Sequence, residues 1–258
     1  MGGKGIAVVT GANGGLGKEF VKRLNEKPEV EEIWAVARNE KRLAALKEEL
    51  GDRIKPIALD LTVRGSIGVI ADLLQEEHVR VRYLVNNAGF AKFCSYGDID
   101  VEESLNMIDL NVSAVVAMGL VCIPYMGEGS RIINIASQAS FQPLPYQNIY
   151  SSTKAFVRNY TRALNVELVG SGISATAVCP GWMKTGLFER GLVGASKGTN
   201  NFSGMVTPDK VAAKALRDAE KGRDQSVYGL TVKMSHALAK LLPQRAMMKI
   251  WLAQQKIQ

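Results

Sequence analysis

The pair Tyr150 and Lys154 is the strongest candidate for chemistry in this chain of 258 residues. Residues four apart on a helix project from the same face, so the phenol and the ammonium would lie side by side. A tyrosine with a pKa of about 10 is a poor acid-base catalyst at neutral pH, but a nearby positive charge favours the phenolate. The spacing predicts a proton-transferring tyrosine activated by a lysine, although exposed helices often carry the same two residue types.

A glycine-rich turn follows the first apolar segment of the chain, residues 5–10. Four of the seven residues from 11 to 17 are glycine, and a helical pattern begins directly after them. In a strand, turn and helix of this kind the backbone approaches a pyrophosphate closely, and the helix N-terminus stabilises its charge. The spacing of Gly11, Gly15 and Gly17 differs from the G-x-G-x-x-G of the most common dinucleotide motif, but it predicts the same kind of phosphate site.

Together with this turn, several other motifs resemble those of the short-chain dehydrogenase/reductase family and occur in that family's order. Three segments match its short motifs: Thr10-Gly11 with Gly15 and Gly17, Asn86-Asn87-Ala88-Gly89, and Pro180-Gly181 with Thr185. Four positions match its catalytic tetrad: Asn111, Ser137, Tyr150 and Lys154. The resemblance covers residues 5–232 and implies hydride transfer between a nicotinamide cofactor and a carbonyl or alcohol carbon.

The resemblance implies a role for each residue of the tetrad. Tyr150 would give a proton to the substrate oxygen or take one from it, and Ser137 would hold that oxygen. Lys154 would lower the pKa of Tyr150 and bind the nicotinamide ribose, while Asn111 would hold a water that links Lys154 to solvent. The residues expected to bind the cofactor are Gly11, Asn13, Gly15, Leu16, Gly17, Arg38, Asp60, Leu61, Asn87, Ala88, Gly89, Tyr150, Lys154, Pro180, Gly181, Met183 and Thr185.

The end of the second predicted strand, residues 33–37, indicates which dinucleotide is bound. An acidic residue there would bind the ribose hydroxyls of NAD, but this chain has Ala37 followed by Arg38. Because the planar guanidinium suits a 2′-phosphate, NADP(H) is predicted over NAD(H). Asp60, after the third strand, resembles the residue that accepts from the adenine amino group, and on spacing alone it is equally a cap for the following helix.

Apolar, β-branched segments alternate with helical patterns along the chain. Strands are predicted near 5–10, 33–37, 54–59, 82–86, 130–136, 173–179 and 226–232. Alternation with right-handed crossovers predicts a doubly wound Rossmann fold, an α/β architecture with a seven-stranded parallel sheet and helices on both faces. We expect residues 1–258 to form a single domain, with a core at 5–232, a substrate lid at 186–206 and a C-terminal helical tail at 233–258.

The predicted substrate pocket is mostly apolar. Its expected lining consists of bulky side chains after the predicted strands and in the lid: Phe90, Phe141, Tyr146, Trp182 and Phe188. A cluster of Arg or Lys would have indicated an acidic substrate, so an apolar ketone or secondary alcohol is expected. Two alternatives stay open: an NAD-linked alcohol dehydrogenase of the same fold, and a non-catalytic NADP(H)-sensing protein. Sensors of this kind usually lose the tyrosine or the lysine, and this chain keeps both.

The tail carries most of the chain's positive charge. Residues 225–258 contain five Lys or Arg and no acidic residue, and the whole chain has a net charge of +7. Since the excess lies on one amphipathic element, it does not indicate a nucleic-acid-binding protein. Three interpretations of the tail are open: a subunit-packing helix, a cover over the substrate mouth, and a membrane-surface helix, which is the least favoured. The resemblance implies a homodimer or homotetramer.

Compartment and metal content are predicted from the remaining composition. No apolar run approaches the roughly 18 residues of a membrane span, and the first residues lack the pattern of a signal peptide. Cys94, Cys122 and Cys179 are odd in number and lack partners at metal-ligand spacing. We therefore expect a protein of the reducing cytoplasm without a structural metal.

Overall fold

A seven-stranded parallel sheet forms the centre of the fold. The computed structural model describes residues 3–185, 191–195, 198–199, 201–202 and 204–257. The strands, in the order β3-β2-β1-β4-β5-β6-β7, are β1 (Gly5–Thr10), β2 (Glu32–Ala37), β3 (Ile54–Ala58), β4 (Arg80–Asn86), β5 (Arg131–Ile135), β6 (Ser174–Val178) and β7 (Gln225–Ser226). The order reverses between β1 and β4, which makes this the switch point of a doubly wound Rossmann fold. The predicted fold class is confirmed.

Helices cover both faces of the sheet. They are α1 (Gly15–Asn25), α2 (Glu40–Leu50), α3 (Ser66–Glu76), α4 (Val101–Ile108), α5 (Ala114–Cys122), α6 (Asn148–Glu167), α7 (Pro208–Glu220), α8 (Leu230–Leu241) and α9 (Gln244–Gln254). Strand β1 shows how the two layers form: Ala7 and Val9 pack with α1, α2 and α7, whereas Ile6 and Val8 pack with α3 and α5. Because both faces are buried, the strand is apolar throughout rather than alternating.

The seventh strand is shorter than predicted. Pairing with β6 ends at Ser226, so the expected strand over 226–232 is wrong beyond its first residue. Gly229 then adopts a φ of +91°, and α8 begins at the next residue. Val232 packs on Gly181, where an added Cβ would lie 2.8 Å from its Cγ2 atom. Val232 makes this contact from a helix, although the local sequence is rich in residues that favour strands.

One helical run among the described residues, Val101–Tyr125, is long and apolar enough by length and composition to cross a membrane. No such run was predicted from the sequence. In the fold, α5 lies against the sheet, and Ala114, Met118 and Cys122 are buried in the same cluster as Val8 and Leu84. Core helices of this kind meet the same criteria, so the run by itself does not indicate a span.

Candidate active site

The glycine turn between β1 and α1 is fitted to the approach of a phosphate. Gly11 and Gly15 adopt left-handed φ values of +62° and +52°, which glycine tolerates without strain. A Cβ on Gly17 would overlap the carbonyl oxygen of Gly11. Gly14 is the N-cap of α1, and a Cβ there would meet no atom within 4 Å. The turn therefore brings bare backbone and the positive end of α1 to an open space.

A hydrogen-bonded loop after β4 holds this turn in place. The Asn87 side chain donates from Nδ2 to the carbonyl oxygens of Thr10 (3.0 Å) and Gly11 (3.1 Å). The backbone N–H groups of Asn87 and Ala88 both donate to the Thr10 hydroxyl at 3.0 Å. The carboxyl ends of the two switch-point strands are thus tied together, and the loop cannot move without the glycine turn.

A cleft of about 870 Å³ opens at the switch point. It brings together most of the residues predicted from the sequence: Gly11, Asn13, Gly15, Leu16, Arg38, Asp60, Leu61, Asn87, Ala88, Gly89, Phe90, Ser137, Tyr150, Lys154, Pro180, Gly181, Trp182, Met183 and Thr185. Gly17 and Asn111 support the lining without being part of it. Phe188 lies outside the residues that the structure describes.

Two arginines lie at one end of the cleft. Arg38 follows β2, and its Nη1 lies 3.7 Å from Oδ2 of Asp60. Arg42, on the first turn of α2, lines the same end. Arg42 was not predicted from the sequence, because it lies on α2, beyond the strand end that carries Arg38, and belongs to none of the motifs. This end of the cleft can receive a dianion.

Asp60 shapes a turn rather than a helix terminus. Its Oδ1 accepts hydrogen bonds from the N–H (3.0 Å) and the hydroxyl (2.7 Å) of Thr62, and α3 begins later, after Gly65. Partial burial acts to raise the pKa of this carboxyl, but the Thr62 hydrogen bonds and the Arg38 charge outweigh burial and lower it. The open alternative of a cap on α3 is therefore wrong.

Ser137, Tyr150 and Lys154 meet on the opposite wall of the cleft. Ser137 lies two residues after the end of β5 and caps a short helical turn, with its hydroxyl accepting from the N–H of Ala139 at 3.1 Å. Tyr150 and Lys154 lie one turn apart on the buried face of α6 and are 8% and 5% exposed. The helix thus presents both groups on one face, as the four-residue spacing predicts, and the Tyr150 phenol meets the Ser137 hydroxyl.

The electrostatics of this wall differ from the sequence expectation. Burial raises the pKa of the Tyr150 phenol, and the Ser137 hydroxyl counteracts this only in part. Burial also lowers the pKa of the Lys154 amine to about 8, with the Cys179 thiol acting in the opposite direction. Lys154 Nζ lies 5.9 Å from the Tyr150 ring centroid and donates to the Ile135 carbonyl at 2.8 Å. In this arrangement, desolvation affects the pKa of the Tyr150 phenol more than the Lys154 ammonium does.

Asn111 lies behind the cleft, fully buried in a π-helical turn at Asp109–Ser113. Its Oδ1 accepts from the N–H of Phe90 at 3.0 Å, and its Nδ2 donates to the carbonyl of Phe90 at 2.9 Å and to the hydroxyl of Thr153 at 3.1 Å. π turns of this kind often mark functional positions. Asn111 therefore joins the loop after β4 to the helix that carries Tyr150 and Lys154.

Aromatic rings form the end of the cleft beside Tyr150. Phe90 and Trp182 line the cleft, as expected. Behind them, the Phe93 ring makes edge contacts with Tyr150 (6.1 Å between centroids) and Trp182 (5.8 Å), and Phe202 lies 5.0 Å from Trp182. Phe93 and Phe202 were not predicted from the sequence, because neither belongs to a motif. These contacts make the wall apolar and fix its shape.

Two predicted pocket residues lie elsewhere. Phe141 ends the short turn after Ser137 and stacks on His236 of α8, with 4.1 Å between ring centroids. The Arg158 guanidinium lies 5.4 Å from the same ring. Tyr146 has a left-handed φ of +65° and does not contribute to the described lining of the cleft. Phe141 packs on α8 and does not contribute to the described lining of the cleft, which local sequence could not indicate.

The C-terminal helix α9 packs across the aromatic end. Trp251 is buried in the same cluster as Phe90, Phe93 and Tyr150, and its indole N–H donates to the carbonyl of Pro145 at 3.1 Å. Gln255, only 2% exposed, accepts from the N–H of Asn201 at 2.8 Å. Helix α9 thus lies against the aromatic end of the cleft, and the three interpretations of the tail stay predictions.

A doubly wound sheet with a glycine turn at its switch point and a Tyr–Lys pair on the cleft wall is the architecture of a dinucleotide-dependent oxidoreductase. The chain belongs to the short-chain dehydrogenase/reductase family, because the family model for short chain dehydrogenases matches residues 5–191. The resemblance stated from the sequence is confirmed.

Curated relatives and solved structures extend this finding. The NADP-dependent 3-hydroxy acid dehydrogenase YdfG of Escherichia coli strain K12 is 33% identical over 214 residues, which cover 80% of this chain and 86% of the relative. Sulfoacetaldehyde reductase 2 of Chromohalobacter salexigens is 34% identical over 189 residues, 70% of this chain and 73% of the relative. A short-chain dehydrogenase from Sphingobium yanoikuyae in complex with NADPH is 26% identical, covers 95% of both chains and has a TM-score of 0.77.

Proposed function

We propose that this protein is an NADP(H)-dependent reductase that interconverts a carbonyl and a secondary alcohol on a largely apolar substrate. The observation that carries the proposal is the meeting of Ser137, Tyr150 and Lys154 on one wall of a cleft whose opposite end holds Arg38 and Arg42. The first group suits proton transfer at a substrate oxygen. The second suits a 2′-phosphate, which agrees with the NADP-dependent relative and the NADPH-bound structure.

The residues along the cleft fit NADP(H) from one end to the other. The glycine turn and the N-terminus of α1 would hold the pyrophosphate, and Asp60 with Leu61 would border the adenine. Asn87 to Gly89 and Lys154 would border the nicotinamide riboside. A Cβ on Gly89 would lie 2.7 Å from Asn111 Oδ1 and 3.4 Å from Lys154 Nζ, so glycine at this position lets the loop pack closely against both side chains. When bound, NADP(H) supplies or accepts the hydride.

The chain's own residues would move the proton. Since burial raises its pKa, the Tyr150 phenol is protonated at neutral pH and can donate to a developing alkoxide. The Ser137 hydroxyl would hold the same oxygen, and the Lys154 ammonium would stabilise the phenolate that remains. Asn111 would hold α6, which carries Tyr150, in a fixed position relative to the loop at Phe90. Phe90, Phe93 and Trp182 would exclude water from the site.

Substrate class is argued from the described lining at the aromatic end. Phe90, Leu110 and Trp182 contribute apolar surface, and the one cationic side chain in this part of the described lining is Lys154. A carboxylate or sulfonate substrate would need a further cation there. We therefore favour an apolar ketone over the anionic substrates in the names of the two relatives.

Cofactor consumption across a substrate panel tests the proposal. Purified protein is assayed with NADPH and with NADH against apolar ketones, 3-oxo acids and sulfoacetaldehyde. Tyr150-dependent oxidation of NADPH by the apolar ketones is the expected result. A preference for the acids would overturn the substrate class alone. Activity only with NADH would favour the NAD-linked alternative, and silence on every substrate despite tight NADPH binding would favour the sensor.

Replacing Arg38 with Ala is expected to weaken NADPH binding about 10- to 100-fold, because charge-assisted hydrogen bonds to the 2′-phosphate are lost. NADH binding should change less than threefold. Arg42→Ala should cause a smaller loss in the same direction, and Lys41→Ala, an exposed neighbour outside the described lining, should cause none. Fluorescence titration with both cofactors measures these changes. Equal losses for NADPH and NADH would contradict phosphate recognition by Arg38.

We further propose that the protein self-associates through the helices around Asn111 and Tyr150. Exposed apolar side chains on α4, α5 and α6 support this: Leu105, Leu120, Phe156 and Val166 are 55%, 65%, 45% and 71% exposed. Phe156→Glu is expected to lower the mass measured by light scattering, because it places a charge in the apolar interface. A mass unchanged from that of the wild type would contradict this interface.

A further inference from the structure

Helix α8 turns an apolar face to solvent. Its inner face is fixed by Val232, which packs on Gly181, and by His236, which stacks on Phe141. The opposite side carries four exposed apolar residues at helical spacing, the α8 stripe: Leu230 (73% exposed), Met234 (57%), Leu238 (46%) and Leu241 (79%). The helix is therefore apolar on the side that faces away from the protein.

An isolated exposed leucine is normal in proteins, but a row along three turns of one helix is not. The stripe runs about 17 Å along the helix axis, at 1.5 Å per residue. Surface helices of globular proteins turn polar residues outward. On α8 the outward side is apolar as well as the side that carries buried Val232, as in a helix whose outer face contacts an apolar environment of its own.

The charges beside the stripe indicate which environment this is. Exposed Lys233 and Lys240 flank it on α8, and exposed Arg245 and Lys249 follow on α9. Residues 225–258 contain no acidic residue. Two copies of α8 packed face to face would bring lysines together without an acid from the tail to pair with them. An anionic lipid surface complements both the stripe and the lysines.

We propose that the α8 stripe and its flanking lysines dock this protein on the surface of anionic phospholipid bilayers. An interfacial helix buries its apolar face at the boundary of the headgroups and acyl chains, while lysines beside it bind the headgroups. The docked helix would bring the rim of the cleft to the bilayer, since Val232 touches Gly181 and His236 touches the turn after Ser137. The inference does not depend on the proposed reaction.

Vesicle co-sedimentation of the full chain tests the proposal. The probes are phosphatidylcholine vesicles with and without about one-third phosphatidylserine. The wild type should sediment with the anionic vesicles, and less so at high salt. Leu238→Gln with Leu241→Gln should weaken binding at least about tenfold. Lys233→Gln with Lys240→Gln should weaken it by a similar factor on anionic vesicles only.

A matched control replaces an exposed apolar residue on another helix. Val69 on α3 is 43% exposed, and Val69→Gln should bind vesicles as the wild type does. Circular dichroism of each variant checks that the fold is kept, which is expected because every substituted side chain is exposed.

Three results would overturn the proposal. The first is a wild type that fails to sediment with anionic vesicles. The second is binding that is the same with both vesicle types and indifferent to the two lysines. The third is a fall in the mass of Leu238→Gln/Leu241→Gln by light scattering while its vesicle binding stays equal to that of the wild type, which would assign the stripe to contact between copies of this chain.

Discussion

Replacing Tyr150 with Phe is expected to lower kcat by about three orders of magnitude while NADPH binding stays within about twofold of the wild type. Loss of a general acid costs about 100- to 10,000-fold. Phenylalanine keeps the ring that contacts Phe93 at the edge, so the apolar wall should hold its shape. Stopped-flow or steady-state NADPH oxidation measures the rate, and fluorescence titration measures binding.

The pH dependence of the wild type gives this prediction a second readout. Because burial raises the pKa of Tyr150, the phenol is protonated at neutral pH, as carbonyl reduction requires. Alcohol oxidation needs the phenolate, so its rate should rise with pH, whereas the rate of reduction should fall once pH passes the raised pKa. Tyr150→Phe should lack both dependences.

Tyr160, on the same helix, provides the matched control. It is half-buried, stacks on Phe156 at 6.0 Å between centroids and takes no part in the described lining of the cleft. Tyr160→Phe should keep near-normal turnover. If Tyr150→Phe instead kept turnover within fivefold of the wild type, proton transfer by Tyr150 would be wrong, although the fold and the family would be unaffected.

The central strands were predictable because nearly all of their positions are buried, as in β1, β2, β5 and β6. Such strands are rich in apolar and β-branched residues, and the observed bounds of the first six strands lie within two residues of the predicted ones. The glycine turn was predictable for a related reason, since the left-handed φ of Gly11 and the close contact of Gly17 with the Gly11 carbonyl arise within the turn itself. In both cases the local sequence contains the physical cause of the structure.

Distant packing explains the errors and the omissions. The segment after Ser226 has the residue types of a strand. It nevertheless forms helix α8, from which Val232 and His236 contact the rim of the cleft. Phe141 stacks on His236 of the same helix and therefore does not line the predicted pocket. Trp251 reaches the aromatic end from the last helix of the described chain, and no local pattern indicates where that helix packs.

The chemistry of Lys154 shows the same division. The spacing correctly placed its side chain beside Tyr150, but the lowered pKa depends on how deeply the fold buries the amine. Its hydrogen bond to the Ile135 carbonyl, 2.8 Å long, joins α6 to the end of β5. Lys154 was predictable from the sequence, but the extent to which the fold removes its amine from water was not.

Replacing Lys154 with Met is expected to abolish turnover and yet stabilise the fold at pH 7. A pKa lowered from 10.5 to about 8 means that burying the ammonium costs about 3 kcal/mol. Methionine fills a similar space without charge, and losing the Ile135 hydrogen bond offsets about 2 kcal/mol of the gain. The net gain of about 1 kcal/mol should raise Tm by about 2–4 °C.

The stability difference between Lys154→Met and the wild type should depend on pH in one window. Between pH 8 and 10.5 the unfolded wild type binds a proton at Lys154 that the folded protein has released, so wild-type stability rises there. The methionine variant lacks this gain. Its advantage over the wild type in free energy of unfolding should therefore shrink and then reverse between pH 8 and 10.5. Urea unfolding at pH 7 and near pH 10 measures the difference, with exposed Lys47→Met as the control that should show none. A constant difference would mean that the folded protein keeps Lys154 charged throughout, and the stabilisation would then have another cause.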